Sequence, residues 1–160
     1  MKKTLLAIVI FAAIFIFTSA GYQVPADSRI GHSAPGFVVS DKDATFELQG
    51  LRGRYVLVAF WSSTDAESRI ANIRYDRVAN NRNDLEYVAV NYDPSEAVFN
   101  EIVKNDSLNA RKQYHDNGGT DSKIYKSYRL SDGFQSLLIS PDGKIIAVNP
   151  DPEKIDEYVS

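Results

Sequence analysis

The chain has 160 residues and a formal net charge of −3, from 18 Lys and Arg against 21 Asp and Glu. A hydrophobic fraction of 44% and a charged fraction of 24% are typical of one globular domain and argue against wholesale disorder. A mildly acidic chain without a basic run is also a poor candidate for binding nucleic acid. Because there is no cysteine, disulfides, thiolate nucleophiles and thiolate metal sites are excluded.

The first twenty residues have the layout of a secretory signal peptide. A lysine pair precedes an unbroken apolar run, residues 5–17, and the small residues at 18–20 offer a cleavage site after Ala20. We therefore expect residues 1–20 to be removed, and the mature chain to be periplasmic or secreted. The alternative is an uncleaved N-terminal membrane anchor, and only in that case would the chain contact a membrane.

The segment after the leader contains the first predicted strands. Residues 21–29 are polar and predict a flexible lead-in to a domain over residues 30–160. Alternating apolar residues on either side of the turn at 41–43 predict an N-terminal β-hairpin with one buried face. The apolar run at 55–61 is β-branched and aromatic, which predicts a central strand that is covered on both faces.

Helices and strands then alternate. Ile70, Ile73, Arg77 and Val78 follow helical spacing, which predicts a helix over about residues 64–80. Residues 85–90 predict a second buried strand. The following Asp-Pro-Ser-Glu sequence is typical of a helix start, with Asp93 as the capping residue.

The last third of the chain predicts a hairpin between helices. Residues 108–119 are polar and predict a loop, and a third helix is expected to open at Thr120. Strands at 134–139 and 144–148 flank a Pro-Asp-Gly turn, and Asp151 precedes a proline at the start of a final helix. This order predicts an α/β fold, a mixed β-sheet with helices on both faces.

Three segments carry a resemblance to a known family. Residues 31–37 resemble the G-x-x-A-P-x-F opening of periplasmic thioredoxin-like proteins and peroxiredoxins. Residues 51–61 resemble the family's L-x-G-K-x-V-L-V-x-F-W strand, and residues 137–144 resemble its F-L-I-D-x-x-G-K hairpin. The resemblance is to the thiol–disulfide oxidoreductase branch, and it implies a thioredoxin-like fold with a central mixed sheet and an N-terminal β-hairpin.

The chain departs from that family at its active site. By the resemblance, Asp65 stands where the nucleophilic cysteine would be, Ser68 where the resolving cysteine would be, and Thr64 where the family has tryptophan. Phe134 stands at the position of the family's cis-proline. Disulfide exchange and peroxide reduction both require a thiolate, so this chain can perform neither reaction.

The residues of the altered loop have other roles open to them. Asp65 is a preferred helix cap, and a capping box formed by Thr64 and Glu67 is a second arrangement. A cation on the Asp65 carboxylate is the functional alternative. Ser68 would need a general base to act as a nucleophile, and nothing in the sequence places His32 or His115 beside it.

A metal site in the polar loop is the remaining chemical possibility. His115, Asp116 and Asp121 could supply ligands, but their spacing matches no metal-binding pattern. We expect them to be solvated loop residues, and we expect neither a metal nor a cofactor.

Three hypotheses for function follow. The first is a monomeric binding or interaction module of the cell envelope, which holds a protein, a peptide or a small ligand on the former active-site face. The second is an enzyme with metal-assisted or acid–base chemistry at Asp65, Glu67 and Arg69. The third is a structural copy with no function at the old site. The candidate contact surface contains no catalytic residue and consists of Trp61, Thr64, Asp65, Glu67, Ser68 and Phe134.

Overall fold

A computed structural model describes residues 29–41 and 44–159 of the chain. The predicted signal peptide, its cleavage site and most of the lead-in lie outside the described residues. Within them, seven strands form: β1 (Val38–Asp41), β2 (Ala44–Glu47), β3 (Tyr55–Trp61), β4 (Leu85–Asn91), β5 (Gln113–His115), β6 (Ser136–Ile139) and β7 (Ile145–Val148). The α-helices of the same part are α1 (Ala66–Asn80), α2 (Glu96–Asn105) and α3 (Lys123–Ser127).

A five-stranded mixed sheet forms the centre of the domain, in the order β5-β4-β3-β6-β7. Strands β3, β4 and β5 run parallel, whereas β6 is antiparallel to both β3 and β7. Strands β1 and β2 form a separate antiparallel hairpin. The predicted α/β class, the mixed sheet and the N-terminal hairpin are therefore confirmed.

Strand β3 divides the hydrophobic core into two halves. Val56, Val58 and Phe60 pack with side chains of the hairpin and α3 on one face of the sheet. Leu57 and Ala59 pack on the other face, against α1 and α2. Both faces of the central strand are thus covered, as the continuous apolar run predicts.

Several predicted elements differ from the observed ones in type or in boundary. The segment predicted as a loop, residues 108–119, contains the edge strand β5, which pairs with β4. The third helix begins at Lys123 rather than Thr120, because the Ser122 hydroxyl accepts a hydrogen bond from Tyr125 N at 3.0 Å and caps it. The final helix is a single 3₁₀ segment, which Asp151 caps as predicted.

Helix α1 buries a largely polar face. Ile70, one of the residues at helical spacing, is 58% exposed, whereas Asn72 is fully buried. The amides of Asn72 and Gln113 pair reciprocally at 3.1 and 3.2 Å, which ties α1 to β5. The buried Asp76 accepts from Asn109 N, and burial raises the pKa of this carboxyl above its ordinary value. Hydrogen bonds therefore help to fix the position of α1, together with the packing of Ile73 and Val78 against the core.

No helix in the described part of the chain is both long enough and apolar enough to cross a membrane. The predicted leader lies outside that part.

Candidate functional site

The loop between β3 and α1 contains the residues that the sequence singles out. Asp65 is the N-cap of α1, and its carboxylate accepts a hydrogen bond from Ser68 N at 2.8 Å. The expected capping role of Asp65 is confirmed. The alternative capping box is wrong: Thr64 does not cap the helix, and its hydroxyl lies 2.9 Å from the hydroxyl of Ser62. Glu67, the partner in that box, lies exposed in the first turn of α1.

Ser68 is buried and its hydroxyl serves the backbone. Its Oγ donates to the carbonyl of Asp65 at 3.2 Å. Its base is neither histidine: His115 hydrogen-bonds to Asp93 O and to Asn117 Oδ1, and His32 is exposed beside β7, where its carbonyl accepts from Ile145 N at 2.9 Å. The geometry of a serine nucleophile is therefore missing here.

A buried carboxylate beneath the loop holds it in place. Asp93 is only 3% exposed, and its Oδ1 accepts from Ser62 Oγ at 2.6 Å and from Ser63 N at 2.7 Å. Its Oδ2 accepts from Asn91 Nδ2 at 3.1 Å. The prediction that Asp93 caps α2 is wrong, because the N-cap is Ser95. The Asp93 side chain turns inward instead and satisfies donors of the loop.

His115 belongs to the same network. It is buried in β5 rather than solvated in a loop, so that expectation is wrong. Its Nε2 lies 2.7 Å from Asp93 O, and its ring stacks on Phe99 with centroids 5.5 Å apart. Asp116 and Asp121 do not join it in a metal site: no cluster of three His, Asp or Glu side chains able to hold a metal ion occurs among residues 29–41 and 44–159.

Trp61 is not part of a contact surface. The side chain is fully buried at the end of β3 and packs against Phe99, with ring centroids 6.2 Å apart. It belongs to the core on the side of α1 and α2. Including Trp61 in the candidate surface is therefore wrong, because the strand end at which it lies is covered by α2.

Phe134 lies half-buried in the loop before β6. Its ring stacks on Tyr92 with centroids 6.0 Å apart and an interplanar angle of 19°. The next residue, Gln135, accepts a hydrogen bond from Phe60 N at 3.0 Å, which fixes the loop against β3. No cis peptide bond occurs among the described residues, this loop included.

An open groove of about 740 Å³ lies beside the start of α1. Asp65, Glu67, Ser68 and Phe134, four of the six predicted surface residues, line it. Its three walls are the first half of α1, the loop at 132–136 and the segment at 149–152. The remaining lining residues are Phe60, Ile70, Ala71, Arg74, Tyr75, Asp132, Gly133, Gln135, Ser136, Asn149, Pro150, Asp151 and Pro152.

Sequence reasoning missed the third wall of the groove. Tyr75 of α1 donates its hydroxyl to Pro150 O at 2.7 Å, and burial raises the pKa of this phenol to about 12. Asn149 has a left-handed backbone, with φ of 46°, a conformation that Asn tolerates better than most residues. Its Oδ1 accepts from Ser136 N at 2.8 Å, so the wall is fixed to β6.

Comparisons with known proteins rest on solved structures, since no protein-family model and no curated protein sequence matches the chain. A thioredoxin-like protein from Parabacteroides distasonis is 36% identical, with a TM-score of 0.69, over 81% of this chain and 93% of that one. A thiol-disulfide oxidoreductase from Bacteroides fragilis is 26% identical, with a TM-score of 0.67, over 79% and 99%. A putative thiol:disulfide interchange protein DsbE from Chlorobium tepidum, 20% identical over 80% and 93% with a TM-score of 0.67, shares the fold.

Replacing the cap of α1 tests the role of Asp65. Asp65→Ala should lower the free energy of unfolding by about 1 kcal/mol, because Ser68 N loses its acceptor. Asp65→Asn should cost less, since an amide oxygen can accept the same bond. Thr64→Ala, the matched control, should change it by less than about 0.5 kcal/mol. Urea unfolding measures all three, and a larger loss for Thr64→Ala than for Asp65→Ala would show that the cap is misassigned.

Removing the buried carboxylate tests what holds the loop. Asp93→Ala should cost about 3 kcal/mol, because it leaves several buried donors without an acceptor. The amide of Ser63 should also exchange its hydrogen faster than in the wild type. Asp121→Ala, an exposed aspartate elsewhere, is the control and should leave that rate unchanged. Unaltered exchange at Ser63 in Asp93→Ala would contradict the supporting role.

Proposed function

The chain belongs to the thioredoxin-like proteins, and because it has no cysteine we propose that it is a binding module without thiol–disulfide redox activity. Neither the Asp65 carboxylate nor the Ser68 hydroxyl can form a mixed disulfide with a substrate. The fold is retained without the reactive atoms, and a scaffold of this kind can still present a surface to a partner.

The groove beside α1 is the observation that carries this proposal. Its volume, about 740 Å³, lies within the range typical of ligand-binding clefts. It lies on the face that the resemblance identifies with the former active site, and it contains Asp65, Ser68 and Phe134. It also presents the apolar side chain of Ile70 to solvent, and ligand-binding clefts combine apolar lining residues of this kind with a few polar groups.

The side chains of the loop favour binding over acid–base catalysis. The Asp65 carboxylate is engaged in capping, and the Ser68 hydroxyl donates to the backbone. Arg69, the third residue of the enzyme hypothesis, forms a bidentate pair with Asp106 at 2.7 Å for both bonds. It does not line the groove.

We infer an envelope location from the leader. Residues 1–20 would be cleaved after Ala20, and the mature chain would act as a monomer in the periplasm or outside the cell. An uncleaved anchor would place the same domain at the membrane surface. In either case the partner is a protein, a peptide or a small ligand of the cell envelope.

Photo-crosslinking tests the proposed surface. A benzoylphenylalanine replacing Ile70 in the groove should give adducts of discrete mass in cells of the source organism. The same residue replacing Val98 is the control, because Val98 is an apolar residue of α2 with comparable exposure, 46% against 58%, outside the groove. Adducts at both positions, or at Val98 alone, would move the contact surface away from the groove.

A further inference from the structure

We infer that the groove takes a peptide segment in which a lysine or arginine lies next to an apolar side chain. This inference rests on the proposed binding function and specifies the chemistry of the occupant. Three features of the groove support it: its carboxylates, the pairing of its one cation, and the apolar side chains beside the unpaired carboxylates.

The groove is acidic. Among its lining residues are four carboxylates, on Asp65, Glu67, Asp132 and Asp151, and a single cation, Arg74. Carboxylates concentrated in a cleft with partly apolar walls create a negative potential that attracts cations.

Two of these carboxylates have no cationic partner among residues 29–41 and 44–159. Arg74 lies 3.4 Å from Asp151 and 3.4 Å from Glu153, so the one cation is paired at the far wall. Asp65 is engaged with the positive end of α1. Glu67 and Asp132 remain, one on α1 and the other at the start of the facing loop, so that the two walls present uncompensated charge to one space.

Each of these carboxylates has an apolar neighbour. Ile70 follows Glu67 by three residues on α1, and residues at this spacing lie on the same face of a helix. Phe134 follows Asp132 by two residues on the facing loop, and it too lines the groove. A cationic side chain beside an apolar one therefore meets complementary chemistry on both walls.

The same pattern disfavours an acidic occupant. The Arg74 guanidinium, the only cation in the lining, already contacts two carboxylates, and an anionic peptide would have to displace one of them. It would also face Glu67 and Asp132, and like charges that are brought together across an interface are strongly unfavourable.

Three fluorescent peptides of one length test the inference on the protein purified from its own cells. They share their leucines and carry Lys, Gln or Glu at two adjacent positions. By anisotropy at low salt, the Lys peptide should bind about fivefold more tightly than the Gln peptide, and the Glu peptide should bind most weakly. High salt should reduce the advantage of the Lys peptide.

A double variant and a matched control locate the charges. Glu67→Gln with Asp132→Asn should abolish the preference for lysine. Glu101→Gln with Glu157→Gln changes the net charge equally at exposed sites outside the groove and should preserve it. A preference for lysine that survives the first pair would overturn the inference.

Ile70→Ser separates this inference from the proposed function. Equal binding of the three peptides, weakened by Ile70→Ser, would overturn the cationic preference but leave the groove as the binding surface. Binding that is unaffected by Ile70→Ser and by the charge variants would overturn both the inference and the proposed surface. Failure of all three peptides to bind would overturn the peptide class of occupant, and the crosslinks at Ile70 would then decide the surface separately.

Discussion

The hydrogen bond between the Asp65 carboxylate and Ser68 N, at 2.8 Å, is the interaction on which the site depends. The first turn of a helix leaves backbone N–H groups without intrahelical partners and carries a partial positive charge. In thiol–disulfide oxidoreductases the same positive end stabilises a thiolate. By the resemblance, a carboxylate takes the place of that thiolate here, and the Asp65 cap retains the start of the helix in a chain that has no cysteine.

The loop that carries Asp65 is supported from below by the sheet. Asp93 follows β4 and His115 ends β5, which places both at the carboxyl edge of neighbouring parallel strands. Asp93 accepts hydrogen bonds from Ser62 and Ser63, and His115 contacts the Asp93 backbone. A site held by rigid strands can keep its shape without a disulfide or a metal. The groove is therefore a property of the fold and not of one loop alone.

Much of the fold can be predicted from the sequence, because several of its strands have apolar residues in patterns that are typical of strands. The continuous apolar run at 55–61 predicts a strand that is covered on both faces, and the alternating apolar residues around 41–43 predict a hairpin with one buried face. The three family-like segments indicate the topology. The edge strand β5 could not be predicted in this way. Its residues Gln113 and His115 are polar, and they are buried because they form hydrogen bonds with Asn72 and Asp93. The pattern of neighbouring residues does not indicate such hydrogen-bond partners, which are distant in the sequence.

The site was predicted less completely for the same reason. Asp65 was recognisable because a cap acts on its own helix. Asp93 has an equally good local capping pattern, but its carboxylate accepts a hydrogen bond from Ser63 N, 30 residues away, instead of capping α2. The segment at 149–152 meets α1 only in the folded chain, through the bond from Tyr75 to Pro150. Four of the six predicted surface residues line the groove, whereas this third wall has no local signal.

The pKa of a thiol placed at position 65 tests the central claim most directly. The chain has no other cysteine, so the single variant Asp65→Cys gives one thiolate absorbance signal to titrate. If the positive end of α1 acts on this position, the thiol pKa should fall well below the ordinary value of about 8.5. Ser40→Cys, on strand β1, should titrate near that value. A pKa for Asp65→Cys at or above that of Ser40→Cys would contradict the account.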